Sequence, residues 1–202
     1  MTIKIFPIRK ILKFNFVLIG FLAVIGFSAY AEKGTREISG VSFDESIIVD
    51  GSRLKLETVG LLRYKKIFKV YSVALYQGED FLVKDVLEEV PKRLELSYFR
   101  SISAADMVSA ANKVLRRNET DLLLKKLNSR LEKFHSAYQD VKPKDRYALT
   151  YIPGKGIQMT LNSKPLITIR GADFARAYFA IWLGKEPVDK KLRDTLLDDI
   201  RD

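Results

Sequence analysis

An α+β fold, with a large antiparallel sheet carrying helices on one face, is what this sequence predicts, and three observations lead there. Runs rich in β-branched and aromatic residues follow one another from Val41 to Gln77 and again from Arg146 to Ile169, with none of the regular strand–helix alternation of a parallel sheet. Asp50-Gly51 separates two of these runs, and Asp-Gly is a strong hairpin signal because glycine takes the positive φ that a tight primed turn demands. Between the two strand groups, Leu123, Leu127, Leu131, Phe134 and Tyr138 recur at helical spacing and form one apolar stripe.

Taken in order, Glu32 to Gly40 is polar and glycine-bearing and reads as a flexible leader. Val41–Val49, Ser52–Tyr64 and Ile67–Gln77 then read as three consecutive antiparallel strands, the last two joined at Lys65-Lys66. In the third, Tyr71, Val73 and Leu75 share one face while Ser72, Ala74 and Tyr76 share the other, and both faces are mostly apolar. That strand is therefore expected to be central and covered on both sides. A short helix over Phe81–Glu89 ends before Pro91, and Lys92–Phe99 alternates as a further strand with Leu94, Leu96 and Tyr98 on one side. Ser103 with Asp106 marks a helix start, Asn118 with Asp121 repeats the signal, and Pro143 closes the striped helix. Arg146–Ile152, Gly156–Leu161 and Pro165–Ile169 read as hairpin-linked strands. Gly171 opens a terminal helical region whose first helix stops at Gly184 and whose second, shorter helix reaches Ile200.

The amino terminus carries a separate message. Lys4, Arg9, Lys10 and Lys13 precede an apolar run, and Ala29-Tyr30-Ala31 stands just before the charge returns at Glu32, the three-part pattern of a secretory signal peptide. The run from Phe14 to Phe27 falls short of the roughly 20 residues a spanning helix needs. Cleavage after Ala31 is expected, leaving residues 32–202 as one exported, periplasmic domain with no stable membrane span. Removing those four cations lowers the formal net charge of +10 to +6, and the remaining basic residues are interleaved with acids. Nucleic-acid binding is not expected. With no cysteine and one histidine, neither a disulfide nor a transition-metal centre is expected, and no cofactor is implied.

Most single residues have plain readings. His135 lies beside the apolar stripe with no serine or acid spaced for a triad and reads as an exposed helix position. Pro153-Gly154-Lys155-Gly156 lacks the strand–loop–helix context of a phosphate loop and reads as a hairpin turn. Tyr76 and Tyr98 read as packing, Arg100 as a surface ion pair, and Asp173 with Arg176 as an exposed helical pair. Trp182, amid Phe174, Tyr178 and Phe179, is expected to anchor the terminal helix to the sheet.

Five segments carry a resemblance: Gly60-Leu61-Leu62-Arg63; Lys69-Val70-Tyr71-Ser72-Val73-Ala74-Leu75-Tyr76; Leu96 to Ala104; Tyr151-Ile152-Pro153-Gly154-Lys155-Gly156; and Ile181-Trp182-Leu183-Gly184 with Pro187. In this order they resemble the bacterial chalcone isomerase-like proteins over nearly the whole of residues 32–202. The resemblance implies an open-faced β-sandwich, a large antiparallel sheet covered on one face by helices. The plant enzymes of that superfamily place an arginine, a threonine, a tyrosine and an asparagine around the reacting flavonoid. Here Arg63 stands at the arginine position, Tyr71 at that of the threonine, the helical tyrosine falls near Ala105, and Asn112 matches the asparagine.

Two of the four polar groups are thus replaced, and catalysis of that ring closure is not expected. Arg63 with Tyr71 is instead similar to the pair with which fatty-acid-binding relatives hold a carboxylate: a guanidinium forks two donors onto two oxygens and a phenol adds a third. The expected site comprises Arg63, Tyr71, Tyr76 and Asn112, for a small apolar or fatty-acid-like ligand. From the residues alone, Arg63 reads equally as a solvent-facing strand residue beside Lys65-Lys66, and Tyr71 as ordinary core. Two other functions stay open: an isomerase or lyase acting on an enone or flavonoid-like substrate, with Tyr71 or Tyr76 as acid–base group, and an envelope protein-interaction factor.

Overall fold

A computed structural model describes residues 34–78 and 86–198. The signal segment expected over residues 1–31 lies outside them.

Among the described residues, nine strands and four helices follow in order: β1 Thr35–Ile38, β2 Val41–Asp44, β3 Ser46–Val49, β4 Ser52–Tyr64, β5 Phe68–Gly78, β6 Lys92–Tyr98, α1 Ala104–Asn118, α2 Asp121–His135, β7 Arg146–Ile152, β8 Gly156–Leu161, β9 Lys164–Ile169, α3 Ala172–Leu183 and α4 Lys190–Leu197. Strands β3 to β9 form one seven-stranded sheet in which every neighbour in space is a neighbour in sequence, all antiparallel. The fold is the expected α+β arrangement, with the helices packed on one face.

The two apolar faces read from β5 are both realised. Tyr71, Val73 and Leu75 join the main core beneath the helices, while Ala74 and Tyr76 join Phe43, Leu54 and Leu56 in a second cluster under the β1–β2 hairpin. On the helix side, α4 sets Leu192 and Leu196 against Gly60 of β4. Trp182 of α3 is buried and donates from Nε1 to the Tyr71 hydroxyl at 2.9 Å, so it ties the terminal helices to the sheet as expected. At one outer edge of the sheet, β9 carries Pro165 opposite Thr160, next to a register shift at Met159/Thr160.

Four local expectations are corrected. Residues within the expected leader form β1, paired with β2 across a turn at Ser39 and Gly40, whose φ values of 57° and 81° fit a primed hairpin. Arg36 pins this strand through Glu45 at 3.1 Å and the Glu57 carbonyl at 2.8 Å. The expected strand Val41–Val49 breaks at Glu45, whose backbone turns to bond Gly34 and Leu56.

Of the expected helix Phe81–Glu89, residues 81–85 lie outside the described residues, and Val86–Val90 is turn and bend. Finally, Ser103 caps α1 by accepting from Asp106 N as the motif predicts, but α2 is capped by Thr120 and not Asn118. Asn118 is already engaged: its amide donates to the Val114 and Glu186 carbonyls and accepts from Glu186 N, joining the end of α1 to the α3–α4 loop. The striped helix itself stops at His135, with Leu127, Leu131 and Phe134 buried and Tyr138 packed just beyond.

Candidate functional site

Strand alternation and one bulge decide where the expected site residues go. Leu62 sits opposite Tyr71 in the β4–β5 ladder, and a register shift then places Arg63 opposite Lys69. Arg63 is exposed at the end of β4, where its guanidinium reaches the Ile67 carbonyl of the β4–β5 turn at 3.4 Å. Tyr71 is buried under the helices with its hydroxyl taken up by Trp182. The two do not converge. Tyr76 lies on the opposite face of the same strand, in the cluster under the hairpin, and Asn112 is half-buried on α1.

Between sheet and helices the expected cleft region holds an aromatic layer. The rings of Tyr71 and Tyr98 are 5.6 Å apart, those of Tyr98 and Tyr147 6.2 Å, and those of Tyr138 and Tyr147 5.4 Å. Phe134 reaches Tyr178 at 4.6 Å and Phe174 at 5.3 Å. The tyrosine hydroxyls are bonded within the layer: Tyr138 and Tyr178 share a hydrogen bond of 2.9 Å, Tyr147 donates to the Gln139 carbonyl at 3.0 Å, and Tyr98 donates to the Met107 sulfur at 3.5 Å. Burial pushes the hydroxyls of Tyr71, Tyr98, Tyr138 and Tyr178 well above the ordinary tyrosine range, as it does that of Tyr76.

His135, expected to be exposed, is half-buried against this layer, with its ring 5.9 Å from that of Tyr178. Its Nε2 is buried and has no hydrogen-bond partner among the described residues, and desolvation holds the imidazole below its usual value of 6.5. A histidine kept neutral by the fold contributes stability that is complete above pH 6.5 and is lost as pH falls through its lowered native value. The urea midpoint of the protein is accordingly expected to fall between about pH 7 and about pH 5 by more than that of His135→Asn.

A different constellation emerges where β6 and β7 meet the start of α3. Lys92 opens β6 in phase with Leu94, Leu96 and Tyr98, so its stem enters the same core. Cross-strand register sets it between Gln77 of β5 and Tyr151 of β7. Only 2% of Lys92 is exposed. Its ammonium donates to the Val86 carbonyl at 2.7 Å and to the Glu88 carbonyl, and lies 5.7 Å from the ring centres of both Tyr151 and Phe179. Gln77 is buried too, and its Nε2 has no hydrogen-bond partner among the described residues.

Lys92 and Tyr151 form part of the wall of a half-open cleft of about 420 Å³, completed by Leu87, Ala172, Ala175 and Arg176 and edged by Glu88, Glu89 and Asp173. Arg176 reaches the Leu87 carbonyl at 3.4 Å and does not pair with Asp173 as expected. Asp173 is instead clamped by both guanidinium nitrogens of Arg130 at 2.8 and 2.7 Å, which holds its carboxyl down to about 2. Its charge is thereby neutralised. Glu88 and Glu89 are exposed at the rim, where water and salt screen them. The cleft wall thus carries Lys92, Arg176 and the Tyr151 phenol beside apolar surface.

Lys92 and Arg176 were not among the expected site residues. The legible signal for the first was a lysine in phase with three inward apolar residues of one strand; for Arg176 the sequence holds none.

A family profile described as chalcone isomerase-like matches residues 35–198. The chain belongs to the chalcone isomerase-like family. No curated protein matches this family member in sequence. Among solved structures, this chalcone isomerase-like chain is similar to a fatty-acid-binding protein of Arabidopsis thaliana, with a TM-score of 0.65 and 16% identity over 83% of this chain and 98% of that one. At such identity the likeness is one of fold. No helix among the described residues is long and apolar enough to cross a membrane.

Proposed function

We propose that this chalcone isomerase-like protein is an exported binding protein that holds a fatty acid, or a similar small amphipathic carboxylate, without transforming it. The observation that carries the reading is the buried Lys92 ammonium in the wall of the cleft of about 420 Å³, with Arg176 beside it. A cavity of that size lies within the range of roughly 300–1,000 Å³ usual for small-molecule sites. Two charge-assisted contacts orient the head, while Leu87, Ala172 and Ala175 receive the start of the tail. The kinship in fold with a plant fatty-acid-binding protein supports the choice of ligand class, and the amino-terminal leader supports export.

Tyrosine acid–base chemistry draws no support from the geometry. A phenol near pH 7 acts as a base only when its pKa is lowered, whereas burial drives Tyr71 and Tyr76 the other way, and the two stand on opposite faces of β5.

Isothermal calorimetry on delipidated protein, with fatty acids of graded chain length, tests the binding reading. One saturable site is expected. Absence of heat at every chain length, together with native mass spectra showing protein that leaves the cell empty, would defeat it. Periplasmic fractions containing a chain that begins at Glu32 are expected from export, and an unprocessed cytoplasmic chain would contradict it.

A further inference from the structure

The β4–β5 hairpin is formed by the two longest strands of the sheet, and its tip presents an unusual surface. Tyr64, Ile67 and Phe68 are 56%, 71% and 49% exposed, three large apolar residues at one turn. The turn itself is made by Lys65 and Lys66, both at positive φ, 49° and 63°. Hairpin turns of this kind usually use Asn-Gly or Asp-Gly, as this chain does at Asp50-Gly51, so local backbone preference does not account for two lysines at the apex.

Other cations close around them. Arg63 braces the turn through the Ile67 carbonyl, Lys69 lies 5.4 Å from the ring centre of Phe99, and Arg100 from the β6–α1 loop lies 5.6 Å from that of Phe68. No acidic residue occurs from Arg63 to Val70, the stretch of β4 and β5 that forms the tip. Asp106, in the first turn of α1, accepts from the Ser103 hydroxyl at 2.7 Å. The tip therefore combines protruding hydrocarbon with a collar of positive charge, held on a rigid stem of paired strands.

We propose that this tip docks the protein on an anionic lipid bilayer. Aromatic and aliphatic side chains enter the headgroup region, while the lysine and arginine stems lie along them and keep their charges at the phosphates. A nucleic acid would meet the same charge, but it rewards aromatic platforms on which bases stack, and the most exposed apolar residue of the tip is aliphatic Ile67. Hydrocarbon of that kind has its natural complement in acyl chains.

The test uses the chain from Lys33 onward, which contains every described strand and helix as one compact unit. It is stripped of lipid, so the outcome does not depend on the cleft. Flotation with vesicles of phosphatidylcholine alone, and of phosphatidylcholine mixed with phosphatidylglycerol, is expected to show binding to the anionic vesicles that high salt abolishes.

Lys65→Glu with Lys66→Glu is expected to weaken partitioning by about 25-fold or more, from roughly fivefold per cation. Ile67→Ser with Phe68→Ser is expected to weaken it about tenfold. All four positions are exposed, so thermal melting should be unchanged and loss of fold is separable from loss of docking. Unchanged partitioning in either double variant, equal binding to neutral vesicles, or retention on single-stranded DNA with no affinity for vesicles would overturn the proposal.

Discussion

Phe134→Ala is expected to lower the unfolding free energy by about 3–5 kcal/mol, seen as a fall in the urea midpoint at unchanged slope. Phe134 is fully buried on the last turn of α2, where its ring contacts Phe174 and Tyr178 of α3 and Tyr138 beyond the end of its own helix. Truncation removes both the transfer free energy of a benzyl group and the edge-to-face ring contacts. It leaves a void that the surrounding rings fill poorly, because Tyr138 and Tyr178 are tied to each other by a hydrogen bond. A loss below about 1 kcal/mol would show that the α2–α3 interface relaxes freely, which the hydrogen-bonded rings argue against.

Lys92→Met is expected to reduce fatty-acid affinity by about 10- to 100-fold, the range set by about 1.5–3 kcal/mol for a hydrogen bond to a charged group. Methionine keeps much of the buried stem but leaves the Val86 and Glu88 carbonyls without their donor, so some stability is also expected to be lost. Arg176→Gln separates the two effects. Its side chain is exposed on α3, thermal melting of the variant reports any loss of fold, and affinity is expected to drop in the same direction. Wild-type affinity in both variants, measured by calorimetry on folded protein, would remove the head group from this cleft.

Much of the architecture was legible because local chemistry and tertiary packing agreed. The twofold apolar pattern of Tyr71 to Tyr76 required a covered central strand, and the Ser103–Asp106 pair could only begin a helix. The strand β1 was missed because three of its four residues, Thr35, Arg36 and Glu37, are polar. It is fixed by contacts distant in sequence, namely Arg36 with Glu45 and the Glu57 carbonyl. Asn118 looked like a cap until its amide was found serving the α3–α4 loop.

The pairing of Arg63 with Tyr71 rested on the resemblance to fatty-acid-binding relatives and on the neighbouring places of their two strands. It did not foresee that Arg63 lies exposed at the end of β4 with its guanidinium on the Ile67 carbonyl, a placement set by the turn at Lys65-Lys66 and not by the order of the strands. The Lys92 cleft was hidden for a related reason. Its walls come from β6, β7, α3 and the turn after residue 85, and nothing local to any one of them announces the others.

Pro165 on the outermost strand has a consequence for self-association. A seven-stranded sheet built by simple meander keeps two outer strands, and an outer strand is a template on which a second molecule can add a strand. At the β9 border the pyrrolidine ring supplies no N–H to an incoming backbone and blocks the approach of a continuous ladder. Fibrillar stacking through that border is thus disfavoured by a single imino acid.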